Sequence, residues 1–199
     1  MNRQPVRRAA AALGLVGLVG LGSAHAADPA AGRAKAQACV ACHAVGALPA
    51  APGIPALAGQ PALYTTIQLI AYREKSRTSP VMEPIAAGLT DEDIQALATY
   101  FEGEKPAPAG AAAKSADPAK LAAGQALAKQ AHCGSCHLPD YSGREQIPRL
   151  AGQQPDYLVK AMKDYREARR SGLDGMMTQV MRGLSDADIE HLAAYLAGL

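Results

Sequence analysis

The chain has 199 residues, with 20 Lys and Arg against 18 Asp and Glu, so its formal net charge is only +2. Arg3, Arg7 and Arg8 lie at the start, and the chain after residue 26 has 17 basic and 18 acidic side chains. Nucleic-acid binding needs a clustered basic face, which this balance does not support. The one local basic cluster, Arg166, Arg169 and Arg170, is typical of a solvated helix face.

The first 26 residues have the pattern of a secretory signal peptide. The positive start is followed by an uncharged apolar run over 9–22 and by Ala24-His25-Ala26, which fits the small-x-small cleavage pattern. We expect cleavage after Ala26 and export, which in a bacterial-type chain means the periplasm. An uncleaved anchor is the alternative, although the run is short for a membrane span. No later stretch is apolar enough to cross a bilayer, so the mature protein should be soluble.

Two C-x-x-C-H motifs follow, Cys39-Val40-Ala41-Cys42-His43 and Cys133-Gly134-Ser135-Cys136-His137. In this pattern two thiols can add to the two vinyl groups of one haem, and the adjacent imidazole can bind the iron. The motifs therefore predict two covalently bound haem c groups. The attachment residues would be Cys39, Cys42, Cys133 and Cys136, with His43 and His137 as axial iron ligands.

Two other sites also use C-x-x-C, a thioredoxin-like redox pair and half of a zinc site. A redox pair has no need for the following His, and no βαβ pattern surrounds either motif. The four cysteines could in principle converge on one zinc ion, although this leaves both histidines without a role. Because all four cysteines lie in the motifs, none remains for the disulfide that an exported chain ordinarily carries.

The motifs belong to a repeated unit. Cys39 and Cys133 are 94 positions apart, and I-P-x-L-A-G-Q occurs at 54–60 and again 93 positions later at 147–153. Y-R-E repeats at 72–74 and 165–167, and G-L-[ST]-D repeats at 88–91 and 183–186. We expect a first domain at 27–102 and a second domain at 117–199. Between them, 103–116 is rich in Pro, Ala and Gly and is typical of a linker.

Only helices are predicted in either domain, which indicates an all-α fold. Asp28-Pro29 and Asp117-Pro118 each place an N-cap acid before a proline, starting a helix that runs into the cysteines. Middle helices are predicted over 62–73 and 157–170. The last helices begin at capping boxes, Thr90 with Asp93 and Ser185 with Asp188. Their buried faces would be Ile94, Leu97, Ala98 and Phe101, and Ile189, Leu192, Ala193 and Leu196.

The sixth ligand of each iron decides between electron transfer and catalysis. A haem with one protein ligand can bind a substrate, whereas a haem with two mostly transfers electrons. Met82 and Met177 match at 95 positions, each shortly before G-L-[ST]-D, in what we expect to be a loop between helices. Methionine otherwise fills gaps in cores. We interpret Met82 and Met177 as axial ligands, with Met176 as the main rival of Met177.

These features together resemble dihaem cytochromes c of the cytochrome c4 family over essentially the whole mature chain. The resemblance implies two tandem class I cytochrome c domains, related by a pseudo-twofold axis, with the haems facing each other near the interface. It also implies a periplasmic one-electron carrier, often membrane-associated, that delivers electrons towards a haem-copper terminal oxidase. Redox proteins would be its partners, a quinol or dehydrogenase complex upstream and the oxidase downstream, and it would take no small-molecule substrate.

The resemblance also gives roles to two pairs of residues. Pro55 and Pro148 are expected beside the proximal imidazoles, with a nearby carbonyl accepting the Nδ1 proton; a simple turn proline is the alternative. Arg73 and Arg166 would bind haem propionates or else pair with a nearby acid.

Two other functions stay open. The chain would have the same haem chemistry as the cytochrome subunit of a larger dehydrogenase. A dihaem peroxidase, in which one iron lacks its sixth ligand, is the enzyme alternative. Met82, Met177, the short chain and the absence of an extended insertion argue against it, so we expect an electron-transfer protein rather than an enzyme.

Overall fold

The computed structural model describes residues 29–43, 52–106 and 117–199. The predicted all-α fold is confirmed in these ranges, where the only β-type pairing is an isolated bridge between Arg144 and Ile147. No helix within them has the length and apolar character needed to cross a bilayer. The predicted signal peptide, Asp28 and most of the predicted linker, 107–116, lie outside the described residues.

The same arrangement of helices occurs twice. The first domain contains α1 (Pro29–Ala36), α2 (Ala62–Arg73), α3 (Met82–Ala87) and α4 (Asp91–Gly103). The second contains α5 (Pro118–Gln130), α6 (Cys133–His137), α7 (Pro155–Arg166), α8 (Met176–Arg182) and α9 (Asp186–Ala197). In the first domain α1 packs on α4, and α2 packs on α3 and α4. In the second domain α5 packs on α9, and α7 on α8 and α9, so the repeat in the sequence is a repeat in space.

Side-chain caps begin the last helix of each domain, as predicted. The Thr90 hydroxyl accepts a hydrogen bond from Asp93 N (3.2 Å), and the Asp93 carboxylate accepts one from Thr90 N (3.3 Å). Ser185 and Asp188 make the same pair of bonds, at 3.2 and 2.9 Å. The predicted apolar faces of α4 and α9 are buried throughout. Asp117 also caps α5, since its carboxylate accepts a hydrogen bond from Ala119 N (2.9 Å).

Three helices end earlier than predicted: the first helix of each domain, and α7 in the second domain. The first helix of each domain does not run into the cysteines, since α1 ends at Ala36 and α5 at Gln130. In the second domain His132 has φ 53°, in the left-handed region, which separates α5 from the short helix α6. Similarly, α7 ends at Arg166 rather than at residue 170, because Ala168 has φ 55°.

The first and last helices of each domain cross at a glycine. A Cβ atom at Gly32 would lie 2.3 Å from the Ala96 carbonyl oxygen, and one at Gly124 would lie 2.1 Å from the His191 carbonyl oxygen. These distances leave no room for a side chain, so the helices meet backbone to backbone. The crossing fixes the first helix, and with it the C-x-x-C-H motif that follows, against the core of its domain.

Among the residues that the structure describes, which leave out 44–51 of the first domain, the two buried clusters differ in extent. Among the described residues, the buried cluster of the first domain consists of Ala36, Leu97 and Phe101, with Cys39 among the partly buried residues packed against it. The buried cluster of the second domain is larger and includes Tyr141, Leu158, Met162, Met181, Ile189, Leu192 and Leu196, with Cys133 and Met177 packed against it. In both domains the first cysteine of the motif therefore lies at the edge of the core.

Matched glutamines join the two domains. Gln153 donates from its side-chain amide to Ala56 O (3.0 Å) and accepts from Ala56 N (2.7 Å). Gln60 makes the equivalent bonds to Arg149 O (2.9 Å) and Arg149 N (3.1 Å). Because Gln60 matches Gln153 and Ala56 matches Arg149 at 93 positions, the interface has pseudo-twofold symmetry.

Candidate functional site

The cysteine motifs form tight hydrogen-bonded turns. In the first domain Cys39 N donates to Ala36 O (2.8 Å) and His43 N donates to Cys39 O (2.9 Å). In the second domain the five corresponding residues, Cys133–His137, form α6. Residues three apart in such a turn lie on one face, so each motif presents both thiols to the same side. All four thiols are free; the second cysteine of each motif is exposed, and the first is half-buried.

The histidine of each motif is buried and oriented by one hydrogen bond. His43 is 9% exposed and His137 is 5% exposed. Nδ1 of His43 lies 2.8 Å from Pro55 O, and Nδ1 of His137 lies 2.9 Å from Pro148 O. Because a carbonyl oxygen can only accept, Nδ1 holds the proton in both rings, which leaves the Nε2 lone pair free to bind a metal. The structure thus identifies the expected acceptor as the carbonyl of the proline itself.

Burial affects the acid–base state of these side chains. Burial lowers the pKa of His43 and His137, which favours the neutral imidazole that can act as a metal ligand. Burial also raises the pKa of the Cys39 and Cys133 thiols. A redox-active cysteine needs the opposite shift, because the thiolate is the reactive form. The thioredoxin-like interpretation is therefore disfavoured.

The zinc interpretation depends on the four cysteines coming together. Within 29–43, 52–106 and 117–199, which contain all four, no three side chains of His, Cys, Asp or Glu are grouped as a metal site. The cysteines remain as one pair in each domain, so they do not form the tetrahedral set of four thiolates that a structural zinc ion of this type requires.

The matched methionines lie at the starts of short helices, not in a loop as expected. Met82 is the first residue of α3, and Met177 is the second residue of α8. Ser79 supports the first of these turns, since its hydroxyl accepts a hydrogen bond from Met82 N (3.1 Å). The rival Met176 is 52% exposed, whereas Met177 packs against the core of the second domain. Burial therefore favours Met177 over Met176 as the residue that faces the interior.

The arginines of the repeated Y-R-E segments form ion pairs. Arg73 donates to Asp91 Oδ1 (2.8 Å) and to Leu89 O (3.2 Å). Arg166 makes the equivalent bonds to Asp186 Oδ1 (2.6 Å) and Leu184 O (3.0 Å). Each arginine is thus paired with a nearby acid, as one of the two expected roles requires. They tie the end of each middle helix to the start of the last helix.

A further sequence prediction, the solvated position of Arg170, is also wrong. Arg170 was expected on a solvated helix face, but it is 5% exposed and lies at the domain interface with Arg77, Tyr64 and Tyr157. The missed signal is in the repeat, since Arg77 and Arg170 match at the same 93 positions as the two tyrosines. When a charged residue repeats at the same offset as apolar or aromatic residues of the repeat, the two copies have the same structural role.

The residues present fit a covalently bound haem in each domain. The fit rests on three observations: a buried imidazole with its Nε2 free, two free thiols on one face of the adjacent turn, and a half-buried methionine at the start of a helix downstream. His with Met is a known pair of axial haem ligands. Such a donor set can hold an iron that changes charge by one unit without exchanging ligands.

Comparison with known proteins gives matches along both domains. The cytochrome c family model matches residues 29–105 and 121–199. Cytochrome c4 of Pseudomonas aeruginosa is 36% identical over 155 residues, which cover 72% of this chain and 74% of that protein. The thiosulfate dehydrogenase electron acceptor of Stutzerimonas stutzeri is 32% identical over 151 residues, covering 72% and 69%. The crystal structure of reduced recombinant cytochrome c4 from Pseudomonas stutzeri has a TM-score of 0.78 at 33% identity, covering 87% of this chain and 100% of that one.

Proposed function

Since the chain belongs to the dihaem cytochrome c4 family, we propose that it carries single electrons in the periplasm, towards a haem-copper terminal oxidase. The two tandem cytochrome c domains each imply one covalent haem c. We take these domains as 27–102 and 117–199, after a signal peptide at 1–26 and separated by the linker 103–116. Peripheral contact with the membrane is part of the same proposal.

Eight residues hold the two haems in this proposal. The attachment and axial residues are Cys39, Cys42, His43 and Met82 in the first domain, and Cys133, Cys136, His137 and Met177 in the second. The observation that carries the proposal is the pair of Nδ1–carbonyl hydrogen bonds, at 2.8 and 2.9 Å, which orient a neutral imidazole identically in both domains. An imidazole fixed in this way is a stronger ligand than one free to rotate, because its ring position and basicity are set in advance.

Bound haem supplies the ferric–ferrous chemistry, and the protein determines what else can happen at the iron. If His43 with Met82, and His137 with Met177, both bound their iron, no position would remain for a substrate, which would favour electron transfer over peroxidase chemistry. Burial of the imidazole limits its rearrangement when the charge changes. As ligands, the soft sulfurs of Met82 and Met177 would favour the ferrous state and raise the reduction potential.

Axial ligation is tested by the far-red absorption band that reports methionine sulfur on ferric haem. We expect Met82→Ala and Met177→Ala each to remove about half of this band, since the wild type has two such haems. Met176→Ala is the matched control, because it changes the adjacent, exposed methionine, and should leave the band unchanged. The reduced wild type should not bind carbon monoxide.

Two results would contradict this assignment. If Met176→Ala removed half of the band and Met177→Ala did not, Met176 would be the ligand. If one haem of the reduced wild type bound carbon monoxide, that iron would lack a sixth ligand, and an enzyme function would become the better explanation.

A second function is supported by the similarity to a thiosulfate dehydrogenase electron acceptor. In that case the chain would accept electrons from a dehydrogenase partner, with the same haem chemistry. Stopped-flow reduction of the ferric protein by a thiosulfate dehydrogenase with thiosulfate tests this donor, and oxidation of the ferrous protein by terminal-oxidase membranes tests the acceptor. Fast oxidation by the oxidase without fast reduction by the dehydrogenase would favour the respiratory role. The reverse result would favour the dehydrogenase role.

A further inference from the structure

An arginine–tyrosine cluster crosses the domain interface, apart from the haem motifs. Arg170 Nη2 donates to Tyr64 Oη (2.7 Å), and Arg77 Nη2 donates to Tyr157 Oη (3.2 Å), so each arginine reaches the tyrosine of the other domain. Each guanidinium also stacks on a tyrosine ring of its own domain, at 4.6 Å for Arg77 over Tyr72 and 4.8 Å for Arg170 over Tyr165. Three pairs match at 93 positions, Tyr64 with Tyr157, Tyr72 with Tyr165 and Arg77 with Arg170, so these contacts follow the pseudo-twofold symmetry.

Gln68 breaks this symmetry. Its side-chain oxygen accepts a hydrogen bond from Arg77 Nη1 (2.7 Å) in its own domain and from Arg170 Nη2 (3.1 Å) across the interface. The matching position in the second domain is Ala161, whose side chain has no hydrogen-bond acceptor. The cluster of Tyr64, Gln68, Arg77, Tyr157 and Arg170 therefore has one arginine and one tyrosine from each domain, but a glutamine from the first domain only.

The positions of these charges matter because the arginines are close together and sheltered from solvent. Arg170 is buried, and its Nε has no hydrogen-bond partner among the described residues. No carboxylate in the described ranges lies within ion-pair distance of Arg77 or Arg170. Sheltered charges act over longer distances than exposed ones, because solvent and salt screen them less. A small displacement of either guanidinium towards one domain would therefore change the electrostatic potential more at the haem of that domain than at the other.

We propose that Gln68 is a positioning residue that makes the two haems unequal, by holding both guanidinium charges on the α2 side of the interface. The inference rests on the two-haem carrier function proposed above. Ferric haem has one more positive charge than ferrous haem, so a fixed cation nearer one haem favours its ferrous form and raises its potential. Gln68 thus contributes to the difference between the two reduction potentials and gives the internal electron a preferred domain.

Arg149 is the rival cause of such a difference. It matches Ala56, so its charge also has no counterpart in the other domain, and its Nε is buried without a partner among the described residues. Its backbone nevertheless takes part in the symmetric glutamine contacts. Mutation distinguishes the two explanations. Arg149→Gln removes a charge, whereas Gln68→Ala removes no charge and only breaks the hydrogen bonds that hold Arg77 and Arg170 in place.

The test is a redox titration of the holoprotein followed by NMR, in which the hyperfine-shifted resonances of each haem are recorded separately. For Gln68→Ala we expect the equilibrium constant for moving an electron between the haems to fall about threefold, or about 28 mV at 59 mV per tenfold change. The double variant Gln68→Ala/Ala161→Gln moves the acceptor to the other side. It should shift the equilibrium towards the other domain relative to Gln68→Ala, by a similar factor.

Controls distinguish positioning from general damage. Gln95→Ala changes an exposed glutamine on α4 and should leave both potentials unchanged. An unchanged potential difference in Gln68→Ala would overturn the proposal, and so would a swap variant that merely restores the wild-type difference, since that result would indicate packing alone. Loss of the difference in Arg149→Gln, with Gln68→Ala unaffected, would assign the effect to Arg149. None of these readouts needs a partner protein, so failure of the proposed partners leaves the test intact.

Discussion

Arg77 of the first domain donates a hydrogen bond across the interface to the hydroxyl of Tyr157 in the second domain, with 3.2 Å between Nη2 and Oη. Arg170 donates to the same hydroxyl from within the second domain, at 3.3 Å. Tyr157 therefore lies between two guanidinium groups, whereas among the described residues the matching Tyr64 accepts from Arg170 alone. Two tyrosines in equivalent places are thus expected to behave differently as acids.

Stability should depend on pH through Tyr157. Burial alone would raise the pKa of Tyr157, but the charges of Arg170 and Arg77 outweigh burial and bring the pKa to about 7. An unfolded tyrosine has a pKa of about 10. Because the folded pKa is the lower one, the stabilisation is complete above about pH 10 and is lost as the pH falls through about 7, so the free energy of unfolding should rise between these values. Urea unfolding of the holoprotein across this range measures the rise.

Tyr157→Phe should remove most of this rise, and Tyr64→Phe is its control. Burial raises the pKa of Tyr64, so that hydroxyl stays protonated over the same range and its loss should not change the slope. Equal slopes for wild type and Tyr157→Phe would mean that Tyr157 does not ionise in the folded protein.

Gln153→Ala should weaken the contact between the domains. Gln153 is buried, and its loss leaves Ala56 N and Ala56 O without their partner at the interface. An unsatisfied buried polar group costs about 1–3 kcal/mol, and urea unfolding of the holoprotein should show a loss of this order. Gln125→Ala, at an exposed position of α5, is the control and should change little. A Gln153→Ala protein as stable as the control would show that water replaces these bonds without cost.

Gly124→Ala should destabilise the second domain. The new Cβ would lie 2.1 Å from the His191 carbonyl oxygen, so α5 and α9 would have to separate. Overpacking of this kind typically costs about 1–3 kcal/mol. Gly183→Ala is the matched control, since no atom of the described residues, chain neighbours aside, lies within 4 Å of its Cβ position. Thermal unfolding of both variants should give a lower midpoint for Gly124→Ala than for Gly183→Ala. Similar midpoints would show that the helices can adjust to the methyl group.

Loss of one haem should affect the two domains unequally. The first domain has the smaller buried cluster among the described residues, and a small core depends more on the group bound to it. We expect Cys39→Ser/Cys42→Ser to leave the first domain sensitive to protease while 117–199 survives. Cys133→Ser/Cys136→Ser should leave the second domain with more residual structure. Equal digestion of the two damaged domains would indicate that core size does not control this dependence.

The sequence contained the local features of this structure. Capping boxes, helix-starting prolines and the spacing of Ile94, Leu97 and Phe101 depend on residues within one or two turns of each other, so they could be predicted from short segments. The two C-x-x-C-H motifs are local for the same reason, because five consecutive residues supply both the thiols and the imidazole.

The interface could not be predicted in this way. The contacts of Gln60 and Gln153 join residues 89 and 97 positions apart, and that of Arg170 with Tyr64 spans 106. Nothing near Arg170 in the sequence indicates burial, since Arg166 and Arg169 beside it form surface ion pairs. The ends of α5 and α7 were misplaced because His132 and Ala168 have positive φ, which residues other than Gly and Asn seldom adopt.

The reciprocal bonds of Gln60 and Gln153 have a consequence for ancestry. Contacts in which one residue meets a second, and the copy of the second meets the copy of the first, are those of an isologous dimer. Two identical single-domain chains could make them without a linker. Identical subunits, however, must have the same residue at every position, whereas a fused pair can hold Gln68 on one side and Ala161 on the other. Because the two copies are joined in one chain, each can change its own residues, so a symmetric interface can become asymmetric.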